Sequence, residues 1–192
     1  MTILCIGDSN TYGYDPRSLL GSRYPAAIRW TERLPGWRVI NCGVNGMGVP
    51  KDASTCIGLI QAKKPELVSV MLGTNDLLEG RSAELTAERM EAFLRSLGTG
   101  ERRLLLVAPP PMQAGEWVQS EELIRESRRL GELYRALACR KEIGFADAGS
   151  WGVELCFDGV HFSPDGHAAF ARGMAGVLEQ YGCGSVPGPG AE

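Results

Sequence analysis

The stretch that decides the fold is Ile3-Leu4-Cys5-Ile6-Gly7-Asp8-Ser9-Asn10-Thr11. Four apolar residues run into an abrupt Gly-Asp-Ser turn, which is typical of a buried parallel strand that ends tightly. Ser9 then lies at the C-terminal end of the strand, where open α/β sheets bind their ligands. The serine is either a helix N-cap or a nucleophile, and this stretch alone favours the cap, since serine is common at that position.

The rest of the chain continues the alternation of strand and helix. Apolar runs predict strands at residues 3–7, 37–41, 67–72, 103–108 and 143–146. Helical periodicity predicts helices at 26–34, 53–63, 84–98 and 119–140, and one that opens at Ser163-Pro164 and reaches about Tyr181. We therefore expect one α/β domain over residues 1–182, a three-layer α/β/α arrangement around a five-stranded parallel sheet with right-handed crossovers.

Two segments fall outside this alternation. Residues 10–25 are predicted to form a long loop, and a loop of that length in a compact domain is usually functional. Residues 183–192 are rich in Gly and Pro and are predicted to be a disordered tail.

Composition and charge exclude several classes of function. Hydrophobic residues make up 44% of the 192 residues and charged residues 22%, as in ordinary globular domains. The net charge of −3 and the scattered basic residues argue against a nucleic-acid partner. The six cysteines form no C-x-x-C pair and no metal-ligand spacing, so we expect neither a metal nor another cofactor. No signal peptide or membrane span is predicted, which favours a reduced, cytoplasmic protein.

Polar residues follow the predicted strands at the points where those strands end. They are Ser9, Gly46, Asn75 and the pair Asp158 and His161. In a parallel sheet these strand ends share one edge, so we expect the five residues to converge. Each feature also has a purely local explanation. Ser9 could be a helix cap, Gly46 a turn glycine, Asn75 part of an Asx-turn, and Asp158-Gly159 a type I′ turn.

The chemistry of three of these residues is complementary. A serine hydroxyl is a poor nucleophile until a base accepts its proton, and imidazole is the usual base. His161 follows Asp158 by three residues, so the carboxylate can accept from Nδ1 and leave Nε2 facing Ser9. The only other histidine, His167, falls in the first turn of the last predicted helix, and we interpret it as structural.

A tetrahedral intermediate also needs hydrogen-bond donors for its oxyanion. Gly46 can offer a backbone N–H without a side chain in the way, and Asn75 can offer its amide. The N–H of Ser9, at the start of a helix, is a natural third donor.

Four sequence blocks resemble those of the SGNH (GDSL-like) hydrolase family, whose fold is flavodoxin-like. They are Gly7-Asp8-Ser9-Asn10, with Asn10 where leucine is usual, Asn41-Cys42-Gly43-Val44-Asn45-Gly46, Gly73-Thr74-Asn75-Asp76 and Asp158-Gly159-Val160-His161. The resemblance spans residues 3 to about 181. It implies a catalytic triad of Ser9, His161 and Asp158, and an oxyanion hole of Ser9, Gly46 and Asn75.

Further stretches are similar to the arylesterase/acyltransferase branch of that family. They are Arg29-Trp30-Thr31, Met71–Asp76, Ala108-Pro109-Pro110-Pro111 and Phe145–Ser150. This similarity implies hydrolysis of small-acyl esters, sometimes with acyl transfer to alcohols. The alternatives are a carbohydrate O-acetylesterase, or a lysophospholipase or thioesterase of the same family.

Two rival functions belong to other classes. A phosphate-binding module would need a glycine-rich loop of the P-loop or dinucleotide type, which the chain lacks. An inactive binding domain is at odds with the presence of Ser9, Asp158 and His161. We therefore expect a small-molecule ester as the partner. The sequence leaves open which ester is the natural one and whether the chain forms a homo-oligomer.

Overall fold

Five short apolar runs form one parallel sheet in the computed structural model, which describes residues 1–18, 20–98 and 103–182. The strands are β1 (Thr2–Gly7), β2 (Arg38–Gly43), β3 (Leu67–Met71), β4 (Arg103–Ala108) and β5 (Gly144–Asp147). Their order is β2-β1-β3-β4-β5, and every neighbouring pair is parallel. This is the flavodoxin-like order, so the predicted fold class is confirmed.

Six helices accompany the sheet in the described residues. They are α1 (Ser9–Tyr12), α2 (Ser54–Lys63), α3 (Thr74–Leu78), α4 (Ala83–Leu97), α5 (Glu121–Lys141) and α6 (Pro164–Gly182). None of these helices combines the length and the apolar character that crossing a lipid bilayer requires.

Alternating side chains of the strands divide the core between the two faces of the sheet. On β1, Leu4 and Ile6 join a cluster with buried residues of α2, α4 and α5. Ile3 and Cys5 join a second cluster with Trp30 and with buried residues of α6. Helices therefore cover both faces of the sheet. The C-terminal ends of the strands form an edge that helices do not cover, and we call it the open edge.

The prediction of a helix over residues 26–34 is wrong. Only a short 3-10 turn, Trp30–Glu32, forms there. The Trp30 indole donates to the carbonyl of Asn10 at 3.0 Å and its ring packs 4.6 Å from the ring of Phe170. These tertiary contacts, and not the helical periodicity of the sequence, determine the conformation of this segment.

The predicted loop at residues 10–25 begins with α1 rather than with irregular chain. After α1, Tyr14 and Arg23 pair in an antiparallel bridge. Helix α3 was not predicted, because five residues are too few to show a helical period.

The start of α6 agrees with the sequence. The hydroxyl of Ser163 accepts a hydrogen bond from the N–H of Gly166 at 3.0 Å, as an N-cap does, and Pro164 takes the first helical position. The tail predicted at residues 183–192 lies outside the described residues.

Candidate active site

The turn after β1 presents Ser9 at the open edge of the sheet. Asp8, not Ser9, is the N-cap of α1: its carboxylate accepts from the N–H of Asn10 at 3.0 Å. Ser9 is the first residue of the helix, so the interpretation of Ser9 as a cap is wrong. The turn requires glycine at position 7, because a Cβ there would lie 2.0 Å from the hydroxyl of Thr11.

Ser9, His161 and Asp158 form a continuous chain of hydrogen bonds. The distance from Ser9 Oγ to His161 Nε2 is 3.0 Å, and that from His161 Nδ1 to Asp158 Oδ2 is 2.7 Å. All three residues are buried. In this arrangement the imidazole can accept the proton of the hydroxyl while the carboxylate stabilises the resulting imidazolium.

The electrostatics of Asp158 favour its charged form. Burial raises the pKa of the carboxyl group, but hydrogen bonds from His161 and Val160 outweigh burial and hold the pKa below its usual value. Asp158 Oδ1 accepts from the backbone N–H of both residues at 2.9 Å, which leaves Oδ2 for the imidazole. An ionised, well-held carboxylate selects the tautomer in which Nδ1 carries the proton.

The side chain of Asn10 joins the turn after β1 to the loop that carries His161. Its Nδ2 donates to the carbonyl of Val160 at 3.1 Å, and its Oδ1 accepts from the N–H of Phe162 at 2.9 Å. Both bonds are buried, and they flank His161 in the sequence. Asn10 stands where the family usually has leucine, and that difference was the only sequence signal of this role.

The two other predicted oxyanion donors follow the two strands that flank β1 in the sheet. Gly46 is exposed in the turn after β2, with φ of +72° and nothing within 4 Å of where a Cβ would stand. Asn75 lies in the first turn of α3, and its Nδ2 donates to the carbonyl of Met47 at 3.1 Å. This bond connects the side chain of Asn75 directly to the turn that contains Gly46, and the amide has a second N–H to offer.

Two aromatic rings lie against His161. The ring of Tyr14 is 4.7 Å away and tilted, and the ring of Trp117 is 5.1 Å away and approaches edge to face. The sequence alone does not determine the position of either ring, because both belong to loops whose conformations depend on tertiary contacts.

Two further titratable groups are buried nearby. Burial raises the pKa of Asp8 to about 6, although the hydrogen bond from Asn10 and the proximity of His161 oppose the rise. Burial also lowers the pKa of His167 to about 4. His167 lies in the first turn of α6, as predicted, and its ring packs edge to face against Tyr24 and Phe162.

Comparisons with solved structures find close matches over nearly the full chain. A protein assigned as an arylesterase from Agrobacterium tumefaciens str. C58 matches with a TM-score of 0.83 and 31% identity, covering 93% of this chain and 98% of that one. Est24, a carbohydrate acetylesterase from Sinorhizobium meliloti, gives 0.79 and 28%, with 94% and 99% covered. The aryl esterase of M. smegmatis gives 0.81 and 27%, with 93% and 98% covered.

Comparison with curated protein sequences returns no match. The model of the GDSL-like lipase/acylhydrolase family, in contrast, matches residues 5–169, which contain every predicted site residue. The chain therefore belongs to the GDSL-like lipase/acylhydrolase family and is a carboxylic ester hydrolase.

Proposed function

We propose that the chain is a serine esterase that hydrolyses small-acyl, acetyl-like carboxylic esters through an acyl-enzyme on Ser9. The observation that carries the proposal is the unbroken hydrogen-bond chain from Ser9 through His161 to Asp158. Ser9 and His161 are 152 positions apart in the sequence, so local structure does not account for the contact between them.

The first half of the reaction follows from this geometry. His161 Nε2 accepts the hydroxyl proton as Ser9 Oγ attacks the ester carbonyl carbon. The oxyanion that forms is stabilised by the N–H groups of Ser9 and Gly46 and by the amide of Asn75. His161 then gives its proton to the oxygen of the leaving alcohol, the C–O bond breaks, and the acyl group stays on Ser9.

The second half of the reaction releases the acyl group. Water gives a proton to His161, attacks the acyl carbon and yields the carboxylic acid, and the proton returns to Ser9. Transfer of the acyl group to an alcohol is the same half-reaction with an alcohol in place of water. The small acyl group is supported by the likeness to Est24, which is a carbohydrate acetylesterase, and that likeness also favours a carbohydrate O-acetylesterase as the second candidate.

The test of this proposal is Ser9→Ala, with Ser54→Ala as a matched control, because Ser54 is exposed at the start of α2. Ser9→Ala should lower kcat for p-nitrophenyl acetate by several orders of magnitude, since the members of a triad act as a unit. A serine-directed phosphonate should label the wild-type protein once, at Ser9, and Ser54→Ala should be labelled and active. An active Ser9→Ala protein would contradict the assignment.

A further inference from the structure

We propose that Trp117 and Tyr14 form the surface that binds the alcohol part of the ester, so that the enzyme selects esters of alcohols with a flat, weakly polar face. Such a face is found in phenols and on the C–H side of a pyranose ring. This inference rests on the proposed function, since it assigns one side of the site that Ser9 and His161 define.

The path of the proton determines the direction in which the substrate lies. The proton that His161 Nε2 removes from Ser9 must reach the oxygen of the leaving alcohol, so that oxygen lies within hydrogen-bond distance of Nε2. The carbonyl oxygen, in contrast, lies at Gly46 and Asn75. The alcohol therefore projects past the imidazole ring, and whatever surrounds that ring contacts the alcohol.

The surroundings of the imidazole are aromatic. The rings of Tyr14 and Trp117 lie 4.7 Å and 5.1 Å from the ring of His161, at interplanar angles of 52° and 82°. Aromatic side chains bind flat partners by stacking or edge-to-face contact, and their faces also accept the C–H groups of apolar partners. A linear alkanol offers much less area to such a surface.

The main chain at Trp117 is held rigidly beside His161. Its N–H donates to the carbonyl of Asp158 at 3.1 Å, and the neighbouring N–H of Glu116 donates to the carbonyl of Phe157 at 3.0 Å. The loop approaches so closely that a Cβ on Gly115 would lie 2.5 Å from the backbone carbon of Asp158. The tryptophan is thus anchored through the segment that carries the carboxylate of the triad.

The side chain of Trp117 is nevertheless uncovered. It is 53% exposed, whereas Trp30 is 2% exposed in the core and Trp151 packs against Phe170. A rigidly anchored, half-exposed tryptophan at a reaction centre is a ready binding surface, because it offers a large area without the entropy cost of ordering a loop.

The experiment compares the loss of kcat/KM in Trp117→Ala across acetate esters of different alcohols. Taking the ratio to wild type for each ester cancels the intrinsic reactivity of the leaving group. Phenyl acetate should lose about tenfold, the value of one good aromatic contact, while n-butyl acetate should change by less than about twofold. Trp117→Phe should retain most of the activity on phenyl acetate.

A second substrate distinguishes phenolic esters from esters of a sugar alcohol, since both present a flat face. If an acetylated methyl pyranoside loses as much as phenyl acetate, the surface accepts sugars as well as phenols. If phenyl acetate alone is affected, phenolic esters are the class selected. Equal losses of kcat/KM on all esters, n-butyl acetate included, would overturn the proposal. So would a loss that changes with the length of the acyl chain across phenyl acetate, phenyl propionate and phenyl butyrate.

Two controls keep this test separate from that of the proposed function. Leu85→Ala removes an exposed apolar side chain on α4 and should leave every ratio near one. Ser9→Ala, measured with the same esters, tests whether Ser9 is the nucleophile. An inactive Ser9→Ala with an unselective Trp117→Ala would refute only the alcohol surface, whereas an active Ser9→Ala would refute the esterase mechanism itself.

Discussion

The buried carboxylate of Asp76 accepts a hydrogen bond from the backbone N–H of Val49 at 2.7 Å. Arg89 completes the contact: its Nε lies 3.1 Å from Asp76 Oδ1, and its Nη2 donates to the carbonyl of Val49 at 2.5 Å. The packing is tight enough that a Cβ on Gly48 would lie 2.9 Å from Asp76 Oδ2. Helices α3 and α4 thereby hold the segment that follows Gly46.

We expect Arg89→Met to lower kcat by about 10- to 100-fold with little change in KM, since a small shift of the Gly46 turn would misplace this proposed donor to the oxyanion. Arg81→Met is the matched control, because Arg81 Nη1 lies 3.8 Å from the same carboxylate oxygen and pairs with Glu79 at the surface. Steady-state kinetics on both variants checks the prediction. Equal effects of the two substitutions would contradict it.

Asp158→Asn should keep the fold and lose most of the turnover. The amide can donate to Nδ1 of His161 and so favours the wrong tautomer, and about 10⁴-fold is the loss known from serine proteases. The measurement is kcat together with a thermal melt, which separates chemistry from unfolding. A loss below tenfold would show that the 2.7 Å bond is not what orients the imidazole.

Substitutions at Asn75 separate transition-state stabilisation from turn formation. If the amide donates to the oxyanion, Asn75→Ala should lower kcat by about 10²–10³-fold with KM nearly unchanged. Asn75→Asp should be worse, because a carboxylate repels the oxyanion. The opposite order, with Asp the better replacement, would mean that Asn75 serves only the turn, whose geometry Asp tolerates.

Asp8 should make stability depend on pH in the direction opposite to a salt-bridged carboxylate. Burial raises its pKa from 3.8 to about 6, so the folded state holds its proton more tightly than the unfolded state. The stabilisation is therefore complete below pH 3.8 and is lost as the pH rises through about 6, by up to about 3 kcal/mol.

Asp8→Asn removes this titration and keeps an oxygen acceptor for the N–H of Asn10. Its free energy of unfolding relative to wild type should therefore rise between pH 4 and pH 7. Urea denaturation at the two pH values measures the difference. Parallel pH profiles for the two proteins would rule out Asp8 as the titrating group.

Asn10→Leu restores the residue usual in the family and should destabilise this chain. It leaves the carbonyl of Val160 and the N–H of Phe162 buried without their partner, at a cost of about 1–3 kcal/mol each. Because those bonds flank His161, kcat should fall as well. Asn10→Asp, which can still accept from Phe162, should retain more stability; a Leu variant as stable as wild type would contradict the prediction.

The sheet was predictable because each strand is a short apolar run that ends at a turn signal. The run that follows Glu66 and ends near Gly73 is an example: all five residues of β3 are buried. The position of Ser9 followed from one topological rule, that parallel strands end at a common edge. Asp158 and His161 lie well beyond the end of β5, and they were assigned to the same site because their chemistry complements that of Ser9. Local pattern, topology and complementary chemistry together were therefore sufficient to predict that these three side chains meet.

What could not be predicted depends on partners that are distant in the sequence. Trp30 disrupts a helical pattern because its indole bonds to Asn10, and nothing in residues 26–34 announces that bond. The orientation of Trp117 likewise depends on a backbone bond to Asp158, 41 positions away along the numbering of the chain. Such contacts leave no periodic signal.

The bonds between Asn10 and the backbone around His161 join residues that are about 150 positions apart. A ribosome synthesises the proposed nucleophile long before its base, so no ester is cleaved until the chain has been synthesised past His161 and has folded. Fragments cut anywhere between the two are each incomplete. Hydrolysis of a chromogenic ester would thus serve as a sensitive reporter of fragment reassembly or of folding to completion.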